Sequence, residues 1–291
     1  DTLSLHDALP ISDGCYTDDG QTFFFTRLPR QGSFTKRYQG GQVQTLWKWT
    51  GGKAEATPLT ADYKGCSKEP MWWQGRVYFL SDRDGTMNLW SMNPSGGDLK
   101  QLTKLTGMDA AAPCLADGRI VAFDTQASNL VPGATNSPFD DIFIRNLRTG
   151  RTEQVSIGLG GTPTNGVNLR PALSATGRFV AFDSSASNLV RGDTNGEFDV
   201  FLSDRRTGQI ERISVATGGA QANGISGNPA ISADGRFVAF QSGATNLVPG
   251  GTSGTMDIFV RDRQTGRTER ISQPTGDRKS TRLNSSHANV S

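Results

Sequence analysis

DGRFVAFQSGATNLVPGGTSGTMDIFVRDRQTGRTERISQ, residues 234–273, decides the fold. It opens on an Asp-Gly turn, enters the apolar run Phe237-Val238-Ala239-Phe240, crosses a loop and resumes with Asp257-Ile258-Phe259-Val260. Thr265-Gly266 then reverses it into Glu269-Arg270-Ile271-Ser272. Runs of four or five β-branched and aromatic residues between Gly, Asp and Asn read as strands. The Thr-Gly pair falls where a hairpin needs positive φ, which glycine adopts at little cost. Side chains alternate across a strand, so Phe237 and Ala239 face one way and Val238 and Phe240 the other. Both faces are apolar, and both are predicted to be buried.

The same phrase recurs. DGRIVAFDTQASNLVPGATNSPFDDIFIRNLRTGRTEQVSI starts at Asp117, and TGRFVAFDSSASNLVRGDTNGEFDVFLSDRRTGQIERISV starts at Thr176. A shorter copy, QGRVYFLSDRDGTMNLWSMNPSGGDLKQLT, starts at Gln74, and a looser one follows Asp18 as DDGQTFFFTRL and QTLWKWTGGKAEATPLT. A small sheet buried on both faces must sit between two others like it, which is the situation of a β-propeller blade. One blade cannot bury its own faces, so such a fold is stabilised by stacking. We therefore expect an all-β propeller with five four-stranded blades, over residues 13–60, 61–104, 105–157, 158–215 and 216–276. Propellers have four to eight blades, and a parent of six or seven is expected.

Composition agrees. The chain has 291 residues with 35 Gly and 13 Pro, a turn-rich make-up that argues against a helical bundle. With 30 Lys+Arg against 28 Asp+Glu it carries +2, which predicts no nucleic-acid partner. No apolar run approaches the ~20 residues of a membrane span. The ends break the rhythm. DTLSLHDALPIS (1–12) and DRKSTRLNSSHANVS (277–291) each contain an 11-residue stretch that reads as an in-frame translation of a short-read sequencing adapter. They are set aside as non-native, with the native N-terminus expected to be missing. His6 and His287, the only histidines, lie in these ends. The remaining body can assemble no Ser-His-Asp triad, Cys-His pair or histidine-ligated metal.

PMWWQGRVYFLSDRDGTMNLWSMNPSGGDLKQLT (70–103), FTRLPRQGSFTKRYQGG (25–41) and PLTADYKGCSKEP (58–70) resemble the N-terminal propeller of bacterial tricorn-protease-like peptidases. That resemblance covers about residues 13–120. The ASNLV and DIFVRDRQTGRTERIS phrases over about 117–276 resemble the WD-like, TolB-type repeats of secreted bacterial proteins. The two dialects meet near Leu115–Arg119, either as a join of two sources or as one gene whose blades differ in loop length. In the tricorn-like family catalysis lies in a separate downstream domain, so the resemblance implies no catalytic residue here. It implies a non-catalytic module for peptide or protein interaction, acting as substrate guide or platform. The TolB-type resemblance implies a binding propeller with no enzyme attached. The TolB-type resemblance implies a periplasmic or secreted setting, and no cofactor is expected.

Several clusters have a chemical and a structural reading. Asp193, Asn195 and Asp199 around Gly196 resemble the start of a calcium loop, but calcium needs six to eight oxygens and the structural reading is an Asx turn. Ser81-Asp82-Arg83-Asp84-Gly85 holds two carboxylates, or is a tight turn between strands. The repeated acids Asp141, Asp199 and Asp257 would serve a glycosidase only if a pair faced each other at about 5–9.5 Å. Their identical place in each repeat points to a scaffold role. Trp47, Trp49, Trp72, Trp73 and Trp90 either line a carbohydrate or peptide platform or pack between blades. Arg27, Arg30, Lys36 and Arg37 form a basic cluster that could hold an acidic peptide end or lie on a solvated loop. Cys15, Cys66 and Cys114 read as buried small hydrophobes, with a Cys66–Cys114 disulfide as the other option.

Overall fold

The computed structural model describes residues 13–26, 44–53, 55–117, 119–132, 138–250 and 255–272. The two adapter-like ends with His6 and His287, the basic cluster at 27–37, and Gly118 lie outside them. The described residues form five four-stranded antiparallel sheets and no α-helix. Blade 1 holds β1 (Gly14–Tyr16), β2 (Thr22–Thr26), β3 (Leu46–Thr50) and β4 (Thr57–Pro58). Blade 2 holds β5 (Ser67–Trp73), β6 (Arg76–Ser81), β7 (Asn88–Met92) and β8 (Lys100–Gln101). Blade 3 holds β9 (Ala111–Ala116), β10 (Ile120–Thr125), β11 (Asp141–Asn146) and β12 (Thr152–Gln154). Blade 4 holds β13 (Asn168–Leu173), β14 (Phe179–Ser184), β15 (Asp199–Asp204) and β16 (Gln209–Arg212). Blade 5 holds β17 (Ser226–Ile231), β18 (Phe237–Ser242), β19 (Asp257–Asp262) and β20 (Arg267–Arg270).

In every sheet the strands lie side by side in chain order. Thr-Gly hairpins join the third strand to the fourth in blades 3 to 5, with Gly150, Gly208 and Gly266 at φ of 70°, 71° and 68°. The first strands β1, β5, β9, β13 and β17 touch in succession, so the inner rim runs along them. The fourth strands are short and form the outer edge, which limits edge-to-edge pairing.

Four cores hold the stack together, one between each pair of adjacent blades. Phe24, Leu46, Val77 and Phe79 join blades 1 and 2. Leu80, Leu89, Val121, Phe123 and Phe143 join blades 2 and 3, across the meeting point of the two sequence dialects. Ala122, Ile142, Ile144, Val180, Phe182 and Phe201 join blades 3 and 4. Ala181, Val200, Leu202, Val238, Phe240 and Phe259 join blades 4 and 5. Val180 and Ala181 are adjacent and serve opposite cores, the two-sided burial expected of the non-alternating runs. Blade 5 departs from that expectation. Phe237 is 40% exposed and Ala239 is only half-buried, because no sheet covers that face among the described residues.

Polar staples repeat at the later interfaces. Arg205 of blade 4 donates to Glu153 of blade 3, and Arg263 of blade 5 to Glu211 of blade 4, each at 2.6 Å. Arg263 also donates to the Gly235 carbonyl at 2.6 Å and lies 4.5 Å over the Phe179 ring. Blade 3 has Leu147 where these arginines stand, and it packs into the core between blades 2 and 3. Arg263→Ala is therefore expected to cost about 1–2 kcal/mol, against less than ~1 for Glu211→Ala, which breaks only the partly exposed ion pair. Urea unfolding of both variants checks this; equal costs would contradict it.

Candidate functional site at the inner rim

Each first strand from blade 2 onward carries an X-Pro step: Glu69-Pro70, Ala112-Pro113, Arg170-Pro171 and Asn228-Pro229. In all four, strand register shifts at that point, the mark of a β-bulge. The residue before each proline has φ between 44° and 55°, where L side chains are strained. Proline cannot donate to the ladder, so a bulge there leaves one fewer donor unsatisfied. The bulges are held by the second strand of the preceding blade. Asp124 of blade 3 accepts the Arg170 backbone N–H at 3.1 Å, and Asp183 of blade 4 accepts that of Asn228.

In blades 4 and 5 the bulge side chain folds back onto its own second strand. Arg170 grips Asp183 through Nε at 3.1 Å and through Nη2. Asn228 Nδ2 donates to Gln241 Oε1 at 3.0 Å. Asp183 is fully buried, whereas the Arg170 side chain is 44% exposed and Asn228 is exposed. The rim thus presents an amide and a guanidinium, with carboxylates buried behind them. Burial pushes the Asp124 carboxyl up to about 7, opposed by the Arg170 N–H and reinforced by Asp140, Glu69 and Asp183. Burial also raises Asp183, against the pull of Arg170.

An aspartate that holds its proton more tightly folded than unfolded adds stability at low pH and loses it as pH climbs through the folded value. The stability difference between the wild type and Asp124→Asn should fall steadily from pH 4 to above 7. Urea unfolding of both proteins at four pH values measures it; a difference that grows over that range would contradict the account.

The strand-start acids belong to a different arrangement. Ser156, Ser214 and Ser272, each just beyond a fourth strand, donate to Asp141, Asp199 and Asp257 at 2.8, 2.5 and 2.7 Å. The same hydroxyls accept the N–H of Ile142, Val200 and Ile258. Thr103 and Asn88 repeat this pin in blade 2. In blades 3 to 5 the acids therefore tie the start of the third strand to the chain just after the fourth.

Asp193, Asn195 and Asp199 do converge, and the group at their centre is Arg212. Its guanidinium lies 3.3 Å from Asp193 and 3.7 Å from Asp199, while Asn195 Nδ2 donates to Asp199 at 2.9 Å. Arg212 thus sits beside both carboxylates of the cluster. Among the described residues no three His, Cys, Asp or Glu side chains group as a metal site. At Ser81–Gly85, Asp82 accepts Tyr63 Oη at 2.9 Å and the Cys66 N–H at 2.8 Å, and Gly85 has φ of 98°. This is a tied-down turn.

Trp72 and Trp90 pack in the core between blades 1 and 2, and Trp73 ends β5 half-buried. Trp47 and Trp49 pair with Phe25 and Phe23 on the other face of blade 1, where the Tyr16 and Phe23 rings lie tilted with centroids 4.5 Å apart. All three cysteines are free thiols, so the Cys66–Cys114 disulfide does not form. They sit in three different interface cores, and burial pushes Cys15 and Cys114 up to about 12. A cleft of about 960 Å³ opens at the outer edge between blades 3 and 4. Its Glu153 and Glu211 are paired with Arg205 and Arg263.

Sequence reading did not single out the rim. The X-Pro step at the same place in four repeats was the available signal. Its meaning depends on a bulge that no single repeat reveals.

Comparison with known proteins supports this architecture. Residues 4–130 match the tricorn protease N-terminal beta propeller domain, a stretch that runs through blades 1 and 2 and past β10 of blade 3. Tricorn protease homolog 1 of Streptomyces coelicolor is 33% identical over 94 residues, covering 32% of this chain. The chain spans only 9% of that relative's length. The beta-propeller domain of the Trilobed protease from Pyrococcus furiosus superposes with a TM-score of 0.56 at 11% identity, over 91% of this chain and 71% of that one. TolB from Acinetobacter baumannii gives 0.53 at 16% identity, over 88% and 53%. The chain is an all-β propeller, and its residues 4–130 are similar to the N-terminal propeller of tricorn protease.

Proposed function

We propose that this chain is a non-catalytic propeller module that binds peptide or protein segments at the inner rim, as substrate guide or platform of a tricorn-like peptidase. The observation that carries the reading is the row of bulges. They hold Arg170 and Asn228 at fixed positions along adjacent first strands, where the guanidinium and the amide keep N–H groups beyond those spent on Asp183 and Gln241. Such donors suit the carbonyls of an extended peptide, and strained positions of this kind cluster where ligands bind. The similarity of residues 4–130 to the tricorn propeller supports the peptidase setting. A TolB-like binding propeller without an attached enzyme is the other reading, and a periplasmic or secreted location would suit it. No helix among the described residues is long and apolar enough to cross a membrane.

The test is fluorescence anisotropy with a labelled pool of unstructured peptides. Saturable binding is expected, weakened at least fivefold in Asn228→Gly, which keeps the left-handed backbone and removes the amide. A wild-type protein that binds no peptide, or one that turns over peptides or glycosides unaided, would overturn the proposal.

A further inference from the structure

The outward face of blade 5 repeats, position by position, the faces that blades 3 and 4 bury against their successors. In blade 4 that face is Ala181, Val200, Leu202 and Ile213, all buried by blade 5. In blade 5 the same positions are Ala239, Ile258, Val260 and Ile271. The first three are half-buried and Ile271 is 56% exposed. Phe179 of blade 4 is sandwiched between its own Arg178 and Arg263 of blade 5, each 4.5 Å from its ring. Among the described residues Phe237 has only its own Arg236, at 4.6 Å. Glu153 and Glu211 each receive an arginine from the next blade. Glu269, their counterpart, meets the solvent-exposed Arg267 of its own strand. Gln241 stands where Asp124 and Asp183 accept the bulge N–H of the blade that follows.

This acceptor set specifies its complement. The occupant must bring an apolar strand pair, a first-strand bulge with a free N–H, and an arginine directly after its third strand. Blade 1 brings neither polar donor. Its third strand is followed by Gly51 rather than arginine, and β1 shows no bulge among the described residues. The face of blade 1 turned away from blade 2 carries Tyr16, Phe23 and Trp49. Ring closure onto blade 1, or head-to-tail stacking of a second copy through blade 1, would leave Glu269 and Gln241 facing aromatic rings.

We propose that this face docks a further blade of the same repeat, one with an X-Pro bulge on its first strand and an arginine in a D-R-x-T-G turn. The nineteen residues after Ser272 are too few for such a blade, one repeat being 58–59 residues.

The test uses the full chain carrying Phe237→Cys, alone and extended after Ser272 by a second copy of residues 216–272. Maleimide labelling of the introduced thiol is followed by peptide-resolved mass spectrometry, which separates it from the three native cysteines. The unextended chain should label rapidly at every protein concentration. The extended chain should label at least tenfold more slowly. Changing the appended copy's Arg263 to alanine, or adding Glu269→Ala, should restore labelling at least threefold, while Glu269→Ala in the unextended chain should leave the rate unchanged. Protection that is already present in the unextended chain would assign the face to blade 1 and overturn the proposal. Protection that rises with concentration would assign it to a second copy, with the same result. An extended chain that labels as fast as the unextended one also overturns it, because a blade supplied at high effective concentration has then failed to dock.

Discussion

Replacing Asp199 with alanine is expected to destabilise the protein by roughly 3–5 kcal/mol, among the largest effects of any single polar substitution in the chain. The carboxylate is fully buried and accepts from Ser214 and Asn195 while facing Arg212. Removing it leaves Arg212, whose side chain is only 7% exposed, with Asp193 as its one remaining carboxylate neighbour among the described residues. It also frees the Ser214 hydroxyl that steadies the Val200 N–H. Burial raises the Asp199 proton affinity, so the carboxylate is costly to keep charged, and its loss still costs more because its partners cannot reach water. Asp199→Asn, which keeps the shape, should cost less than half as much. Urea unfolding curves separate the two. An alanine variant within 1 kcal/mol of wild type would show that Arg212 relaxes into solvent and that the pin is dispensable.

Phe182→Ala should cost a similar ~3–5 kcal/mol, for a different reason. Phe182 is fully buried between blades 3 and 4 and packs on Phe201 with ring centroids 6.1 Å apart. Sheets on both sides fix the walls, so the space cannot collapse. Phe237→Ala is the internal control. It removes the same side chain from a face without a neighbour and should cost under about 1 kcal/mol in the same assay. Equal losses at the two positions would mean that the outward face of blade 5 is covered in solution.

The repeats made the fold legible because several independent signals agreed in each one. The runs Phe179–Phe182 and Phe237–Phe240 gave strands, the Thr-Gly pairs gave hairpins, and apolar residues on both faces demanded neighbours on both sides. The scaffold role of Asp141, Asp199 and Asp257 was legible from their repetition. Their serine partners were not, since Asp199 and Ser214 meet only after the third and fourth strands pair. Arg212 inside the calcium-like loop was hidden for the same reason: it lies 13 residues beyond Asp199 and arrives across the sheet. The rim escaped notice because Arg170 and Asp124, 46 residues apart, meet only across a blade interface. Half-burial at Ala239 also follows from what lies beside blade 5, which its own residues do not encode.

One measurement tests most directly whether these blades form a single stacked body. All five tryptophans and all four tyrosines lie between residues 16 and 90, so intrinsic fluorescence reports blades 1 and 2 alone. Far-UV circular dichroism reports all five sheets. Leu80, Leu89, Val121 and Phe123 join the two sequence dialects through a core of the same kind as the others. The two signals should therefore share one urea midpoint and one slope. A fluorescence transition clearly separated from the circular dichroism transition would contradict the account, since blades 1 and 2 would then unfold independently of the three that follow.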